Sequence, residues 1–284
     1  MPGLPHRFLR AVPVLLAAAL ASCAPPQNYA NPDEPRFAGC FPSPPDSTEI
    51  RVVTFNIQFS KHIDEAIALL EGDPTLRRAD ILLVQEMDEP GVRRLAAALG
   101  MCFVYYPATI HPSTHRDFGN AILSKWPIEG DRKIILPHNG RLGKTQRIAV
   151  TGTVHVRGHA IQIYSVHLAT WIEVAFNNRK DQARVVADDA EKAPGSVLVG
   201  GDINSHDVGD VFEDRHYLWP TRKLPHTTKN GTLDHFFLRG LSLRDSASVG
   251  VVKDNRGASD HKPVWMVLRM PADTAGATGA PASR

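Results

Sequence analysis

Cysteine is scarce in this sequence: 284 residues carry three, Cys23, Cys40 and Cys102. No Cys-x-x-Cys occurs, so nothing points to a catalytic thiol. No apolar run is long enough for a membrane span; the one candidate, Ala11 to Ala21, is short and holds Pro13. Excess charge is also missing. There are 32 Lys and Arg against 30 Asp and Glu, and without Arg7 and Arg10 the count is 30 against 30. A non-specific duplex binder carries a basic footprint, because phosphate neutralisation supplies its affinity. Its absence disfavours tight binding to long nucleic acids and leaves hydrolysis of small phosphodiesters open. No Gly-x-Gly-x-x-Gly follows the first strand, which disfavours a doubly wound nucleotide fold. Internal repeats are absent as well.

What the chain does have begins with an export signal over residues 1–23. Arg7 and Arg10 give a basic start, the apolar run follows, and small residues close it. Leu20-Ala21-Ser22-Cys23 resembles the lipobox of bacterial lipoproteins. That resemblance implies lipidation of Cys23, anchorage on a membrane surface without spanning it, and a periplasmic or outer-membrane location. Cys40 and Cys102 then remain; an exported chain can pair them, and the pairing stays open. Residues 24–47 are rich in Pro and polar residues and read as a tether with little structure of its own. Residues 271–284 read as a loose tail. One domain, 48–270, lies between, and a monomer is expected.

Within the domain strands and helices alternate. Glu49 to Asn56 alternates and is β-branched, so it predicts a strand; Ile63 to Glu71 has helical spacing. Ile81 to Glu86 is a short apolar strand ending in acid. Pro90 and Gly91 open a helix that Gly100 ends. Further strands are expected at Cys102 to Tyr106 and Asn120 to Ser124. A hairpin is expected at 146–167 around Arg157-Gly158-His159. A helix over 178–192 precedes strands at 197–200, 233–238, 247–252 and 264–270. Two sheets packed together with helices outside would accommodate this pattern.

Polar residues gather where these strands end: Asn56, Glu86, His167, Asp202 with Asn204, Asp234, and Asp260 with His261. Singly, each has a plain reading as a turn former, cap or packed histidine. As a set, five segments place carboxylate, carboxamide or imidazole beside apolar strands. Metal-assisted attack of water on phosphorus needs such a set. Hard oxygen ligands suit Mg²⁺ or Mn²⁺, and histidines hold or move protons near neutral pH.

The ordered string TFNIQ, LLVQEMD, GNAILSKWPI, YSVHLAT, VGGDINS, TLDHFFLRG and SDHKPVW resembles the endonuclease/exonuclease/phosphatase superfamily. That group includes pancreatic-type deoxyribonucleases, inositol polyphosphate phosphatases and neutral sphingomyelinases. The resemblance runs from Glu49 to Met270. It implies a four-layer α/β sandwich, two central mixed β-sheets with outer helices, and a Mg²⁺- or Mn²⁺-dependent phosphoester hydrolase of phosphodiesterase or nuclease type. It implies metal roles for Glu86, Asn56 and Asp260. It also implies catalytic roles for His167 and Asn204 on the phosphate, Asp202 on the attacking water, and His261 as a base oriented by Asp234. Arg116 and Arg147 resemble phosphate-contacting arginines. Which group is base and which is acid stays open. One departure is Gly-Asp-Ile-Asn where relatives commonly have Gly-Asp-Phe-Asn, which keeps an apolar side chain toward the core.

The substrate stays open too. Nucleic acid suits Arg116 and Arg147. A phospholipid or sphingolipid suits a tether and the apolar pair Trp171-Ile172. A small inositol or sugar phosphate suits a basic pocket built from Arg222, Lys223 and Lys229. An inactive binding module would be expected to lack a member of the catalytic set, and none is missing. Tyr105, Tyr106 and His235 read as packing residues.

Overall fold

The computed structural model describes residues 27–41, 49–141 and 144–269. The export-signal segment, with Cys23, and the tail 271–284 lie outside the described residues.

Among the described residues fourteen strands form two mixed sheets. In chain order β1 (Gln27–Asn28), β2 (Phe37–Cys40), β3 (Glu49–Asn56), β4 (Ile81–Met87), β5 (Cys102–Ile110) and β6 (Asp117–Ser124) belong to the first sheet. Next, β7 (Ile128–Ile135), β8 (Ile148–Val156), β9 (His159–His167), β10 (Ser196–Asp202) and β11 (Asp234–Arg239) make the second. The short β12 (Ser242–Leu243) and β13 (Val249–Val251) and the longer β14 (Val264–Arg269) return to the first. The second sheet runs β11-β10-β9-β8-β7, and the first has β6-β4-β3-β14 at its centre. Helices α1 (Ile63–Gly72) and α2 (Glu89–Leu99) cover one outer face; α3 (Phe176–Ala190) and the short α4 (Asp210–Glu213) cover the other.

Strand periodicity explains the layering. Successive residues point to opposite faces of a sheet. On β4, Leu82 and Val84 pack with Leu69 and Leu95 of the helices, while Ile81 and Leu83 face the second sheet, packing with Ile163, Leu198 and Phe236. On β10 the same alternation sends Leu198 between the sheets and Val197 and Val199 toward Val186 and Phe212. Strands buried on both faces read as continuous apolar runs, which is why β4 and β10 are legible in the sequence. The helix boundaries follow from their caps. Asp88 accepts from the Gly91 amide at the start of α2, and Gly100, at φ 62°, closes it.

Two departures from the sequence reading stand out. The stretch 24–47, read as a tether, contributes β1 and β2, both antiparallel to β5. This strap is held by side chains of the second sheet. The buried Lys133 ammonium donates to the carbonyls of Tyr29 and Glu34, at 3.1 and 2.8 Å, and Arg36 makes a bidentate pair with Asp131. Cys40 and Cys102, opposite each other in the β2–β5 register, form a disulfide. That pairing corrects the expected membrane partner. The cysteine chemistry found is an internal bridge and not a lipid-bearing anchor, Cys23 itself lying outside the described residues. The other departure is β7, unpredicted because Glu129 to Lys133 is a polar run and its register shifts against β8 between Glu129 and Arg132. Among the described residues no helix is long and apolar enough to cross a membrane.

Candidate active site

Strand register builds the site. His167, Asp202 and Asp234 stand opposite one another across β9, β10 and β11. In the first sheet Asn56 ends β3 opposite Gln85, so Glu86 follows directly beside it. Two backbone features aim these side chains. Glu86 has φ 59° at a register shift in β4. Gly201, before Asp202, has φ 148°, and a Cβ there would lie 1.9 Å from the Val166 carbonyl oxygen, so the second glycine of Gly-Gly-Asp is obligatory. Ile203, the departure from the commoner phenylalanine, is fully buried in the outer core, as expected.

Asn56 joins the two sheets. Its amide donates to Glu86 Oε1 and to Asp202 Oδ2, both at 3.0 Å. Asp202 Oδ2 is also 3.5 Å from His167 Nε2 and 3.6 Å from His261 Nε2. His261 Nδ1 lies 2.9 Å from Asp234 Oδ2. Asn204 is fixed by its own amide donating to Asp202 Oδ1 and its side chain donating to the Leu168 carbonyl, each at 2.9 Å. Ser259 donates to the Asn56 carbonyl and tethers the loop carrying exposed Asp260. A cavity of about 570 Å³ opens here, and Glu86, His167, Asp202, Asn204, Asp260 and His261 all line it.

Burial sets the charges. It raises the carboxyl groups of Glu86 and Asp202 above the ordinary range. Burial also pulls His167 well below its usual value, helped by the Arg147 guanidinium, so its imidazole is neutral at pH 7. Burial alone would lower His261, but Asp234 and Asp202 outweigh it and hold the ring protonated.

The two arginines part company. Arg147 is buried, with Nη1 3.0 and 2.9 Å from the His167 ring nitrogens and Nη2 donating to Glu173 Oε2 at 2.7 Å. Arg116 is turned away: it pairs with Asp88 and lines a separate hollow beside Lys61 and Arg94. The expected basic pocket also dissolves. Lys229 lines the cavity, while Arg222 pairs with Glu213 and lies over the Trp219 ring. Tyr105, Tyr106 and His235 are packing residues, His235 accepting from Trp219 Nε1. Glu173 went unforeseen. It lies in the loop before α3, and no strand-end pattern marks it.

Asp202, Asp234 and His261 each offer a ligand atom, all within 4.8 Å of one another, which is geometrically competent to chelate a divalent ion. While the His261 ring is protonated the two carboxylates are the donors open to a cation, and buried Asp234 Oδ1 has no hydrogen-bond partner. Two buried carboxylates, one with an orphaned oxygen, fit a hard cation. These are residues to which the sequence reading gave catalytic roles, one layer deeper than Asp260.

Residues 53–261 match the model of the Endonuclease/Exonuclease/phosphatase family. The chain belongs to that family. The clustered Asp-Asp-His triad is typical of the family's divalent-metal-dependent hydrolases and consistent with a phosphodiesterase or nuclease-type enzyme. Among solved structures the family member resembles an endonuclease/exonuclease/phosphatase from Beutenbergia cavernae (21% identity, 79% of this chain and 72% of that one, TM-score 0.63). D. rerio TDP2 complexed with single strand DNA product is similar at 16% identity, covering 79% and 100%, with TM-score 0.60. The human Nocturnin catalytic domain with bound sulfate is similar at 18%, covering 82% and 97%, with TM-score 0.58. No curated protein sequence matches this chain.

Proposed function

We propose that this family member is an exported phosphodiesterase that directs water at a phosphorus atom held between the two sheets. The observation that carries the reading is the Asn56 amide, which binds Glu86 of one sheet and Asp202 of the other at a cavity that Glu86, His167, Asp202, Asp260 and His261 line. The acids of this cluster would hold a Mg²⁺ or Mn²⁺, which would supply Lewis-acid polarisation of the phosphoryl oxygen. The chain's own groups do the rest. Neutral His167 donates a hydrogen bond to the phosphate, and buried Arg147 and protonated His261 place positive charge where negative charge develops on phosphorus oxygens. Asp234 fixes the His261 ring, and Asn204 binds a phosphate oxygen. Asp202, with its proton affinity raised by burial, takes the proton of the attacking water as its oxygen bonds to phosphorus, and protonated His261 gives a proton to the leaving oxygen as the old P–O bond breaks. Glu86, Asn56 and Asp260 would help to hold that cation. Export is supported by the N-terminal signal pattern and by a disulfide suited to an oxidising compartment. A nucleic-acid substrate draws support from the likeness to a structure holding single-strand DNA product.

The test is hydrolysis of bis-p-nitrophenyl phosphate and of a short oligonucleotide, with and without EDTA. Asp202→Asn and Glu86→Gln should each lose about a thousandfold in kcat while staying folded, with melting temperatures in EDTA no lower than wild type. Folded variants that keep full activity, or activity indifferent to thorough chelation, would sink the assignment.

A second reading rests on Trp171 and Ile172, exposed at 72% and 54% next to Thr170 of the cavity wall. Such a lip suits a lipid phosphodiester. Sphingomyelin or phosphatidyl-lipid vesicles in the same assay decide between them.

A further inference from the structure

Phe59 stands in an unusual backbone. It has φ 57° and Ser60 after it has φ 53°, two consecutive non-glycine residues in the left-handed region. A bulky residue there is disfavoured, and the conformation persists only where the surroundings impose it. The ring is half-buried and lies outside the three buried cores.

The ring joins a row that ends at the active site. Its centroid is 4.7 Å from the half-exposed His111 ring and 5.6 Å from Phe118. Phe118 in turn lies 5.7 Å from His167 and carries the Arg147 guanidinium 5.3 Å from its centroid. Lys61, exposed, holds its ammonium 4.7 Å over the Phe59 ring. Three separate segments thus bring rings together: the turn after β3, the end of β5, and β6. Gln58, next to Phe59, already lines the cavity. His111 is steadied by Ser113 Oγ, 2.9 Å from its Nδ1.

We propose that Phe59 and His111 form a stacking platform for a nucleobase adjoining the phosphate at His167, with Lys61 meeting the neighbouring phosphate. This deepens the phosphodiesterase reading and rests on it for the position of the scissile phosphate. Every base offers a π-face, so such a platform holds short single strands without sequence preference. It also explains how a chain with almost no net charge can bind a nucleotide, since stacking needs no basic groove.

The binding test uses the full protein carrying Asp202→Asn, with Mg²⁺, titrated into a 2-aminopurine dinucleotide. Stacking quenches 2-aminopurine fluorescence. The parent should quench; adding Phe59→Ala should weaken affinity about tenfold and abolish the quench, and Phe59→Trp should restore both. Phe59→Gly relieves the backbone and should still fail to bind, which separates stacking from strain. In the otherwise wild-type enzyme Phe59→Ala should lower kcat/KM about tenfold for the unlabelled dinucleotide and leave ring-free glycerophosphoethanolamine unchanged. No quench by the parent, an unchanged quench in Phe59→Ala, or equal losses on both substrates would overturn the platform. Should Phe59→Ala fail to fold, His111→Ala takes its place with the same expected losses. If the wild-type enzyme cleaves no phosphodiester, the catalytic reading fails while the quench still decides the platform.

Discussion

Glu173 shows how much of the site depends on a residue outside the motif. Its carboxylate pairs with Arg147 and accepts from Thr145 and from the Thr170 amide; burial would raise it, but the Arg147 charge and these hydrogen bonds together hold it below its ordinary range. Glu173→Gln would leave the arginine's charge uncompensated beside His167. The expected outcome is a kcat/KM about tenfold lower and a His167 ring that titrates lower still, read from imidazole NMR shifts; an unmoved His167 would make Glu173 merely structural. His235 carries a second residue-scale prediction. Burial pushes it down to about 4, so between pH 6.5 and 4 the unfolded chain binds a proton that the folded chain refuses. Its contribution is fully present above pH 6.5 and is lost as pH falls toward 4, on the order of 3 kcal/mol in total. His235→Gln should remove that acid sensitivity in urea unfolding at pH 7 and pH 4.5; equal losses in both proteins would contradict it. The strand-end residues were legible because each follows an apolar run whose direction is plain. Arg116 was not: its partner Asp88 lies 28 residues away, and only the fold shows that the α2 cap claims it.

At the scale of elements, apolar strands were legible and polar ones were not. β4 and β10 announce themselves by continuous burial. β7 and the strap strands do not, because what holds them is distant pairing: Lys133 to the strap carbonyls, and Asn28 to the Lys144 carbonyl across 116 positions. The Cys40–Cys102 bridge, spanning 62 residues, pins that strap to β5. Closing a loop of that length constrains the unfolded chain by up to about 4 kcal/mol. Cys40→Ser, or reduction by dithiothreitol, should therefore lower the melting temperature without abolishing hydrolysis, since neither cysteine lines the catalytic cavity. A reduced protein that melts unchanged would remove the bridge from the stability account.

For the whole molecule, burying carboxylates against one another costs stability that a cation returns. Ligands that bind only the folded state raise the melting temperature with concentration. Mg²⁺ or Mn²⁺ should stabilise the protein in differential scanning calorimetry, and Asp234→Asn should weaken that response. A melting temperature that is the same with metal and with EDTA would refute cation binding at the triad. The four-layer arrangement itself was foreseeable from strands outnumbering helices together with the family motifs. Which residues cluster tightest was not, because that depends on register across strands remote in sequence.

That register, with His167, Asp202 and Asp234 abreast on three neighbouring strands, has a consequence for how this protein can tolerate change. One residue inserted within β10 would rotate Asp202 out of the cleft and turn the apolar side chains around it to the wrong layers at once. The same insertion in the open turn at Gly158 disturbs neither. Lineages of this enzyme should therefore differ in length at their turns and keep the spacing inside these three strands fixed, so that the pleat of the sheet acts as a ruler against which the chemistry is measured.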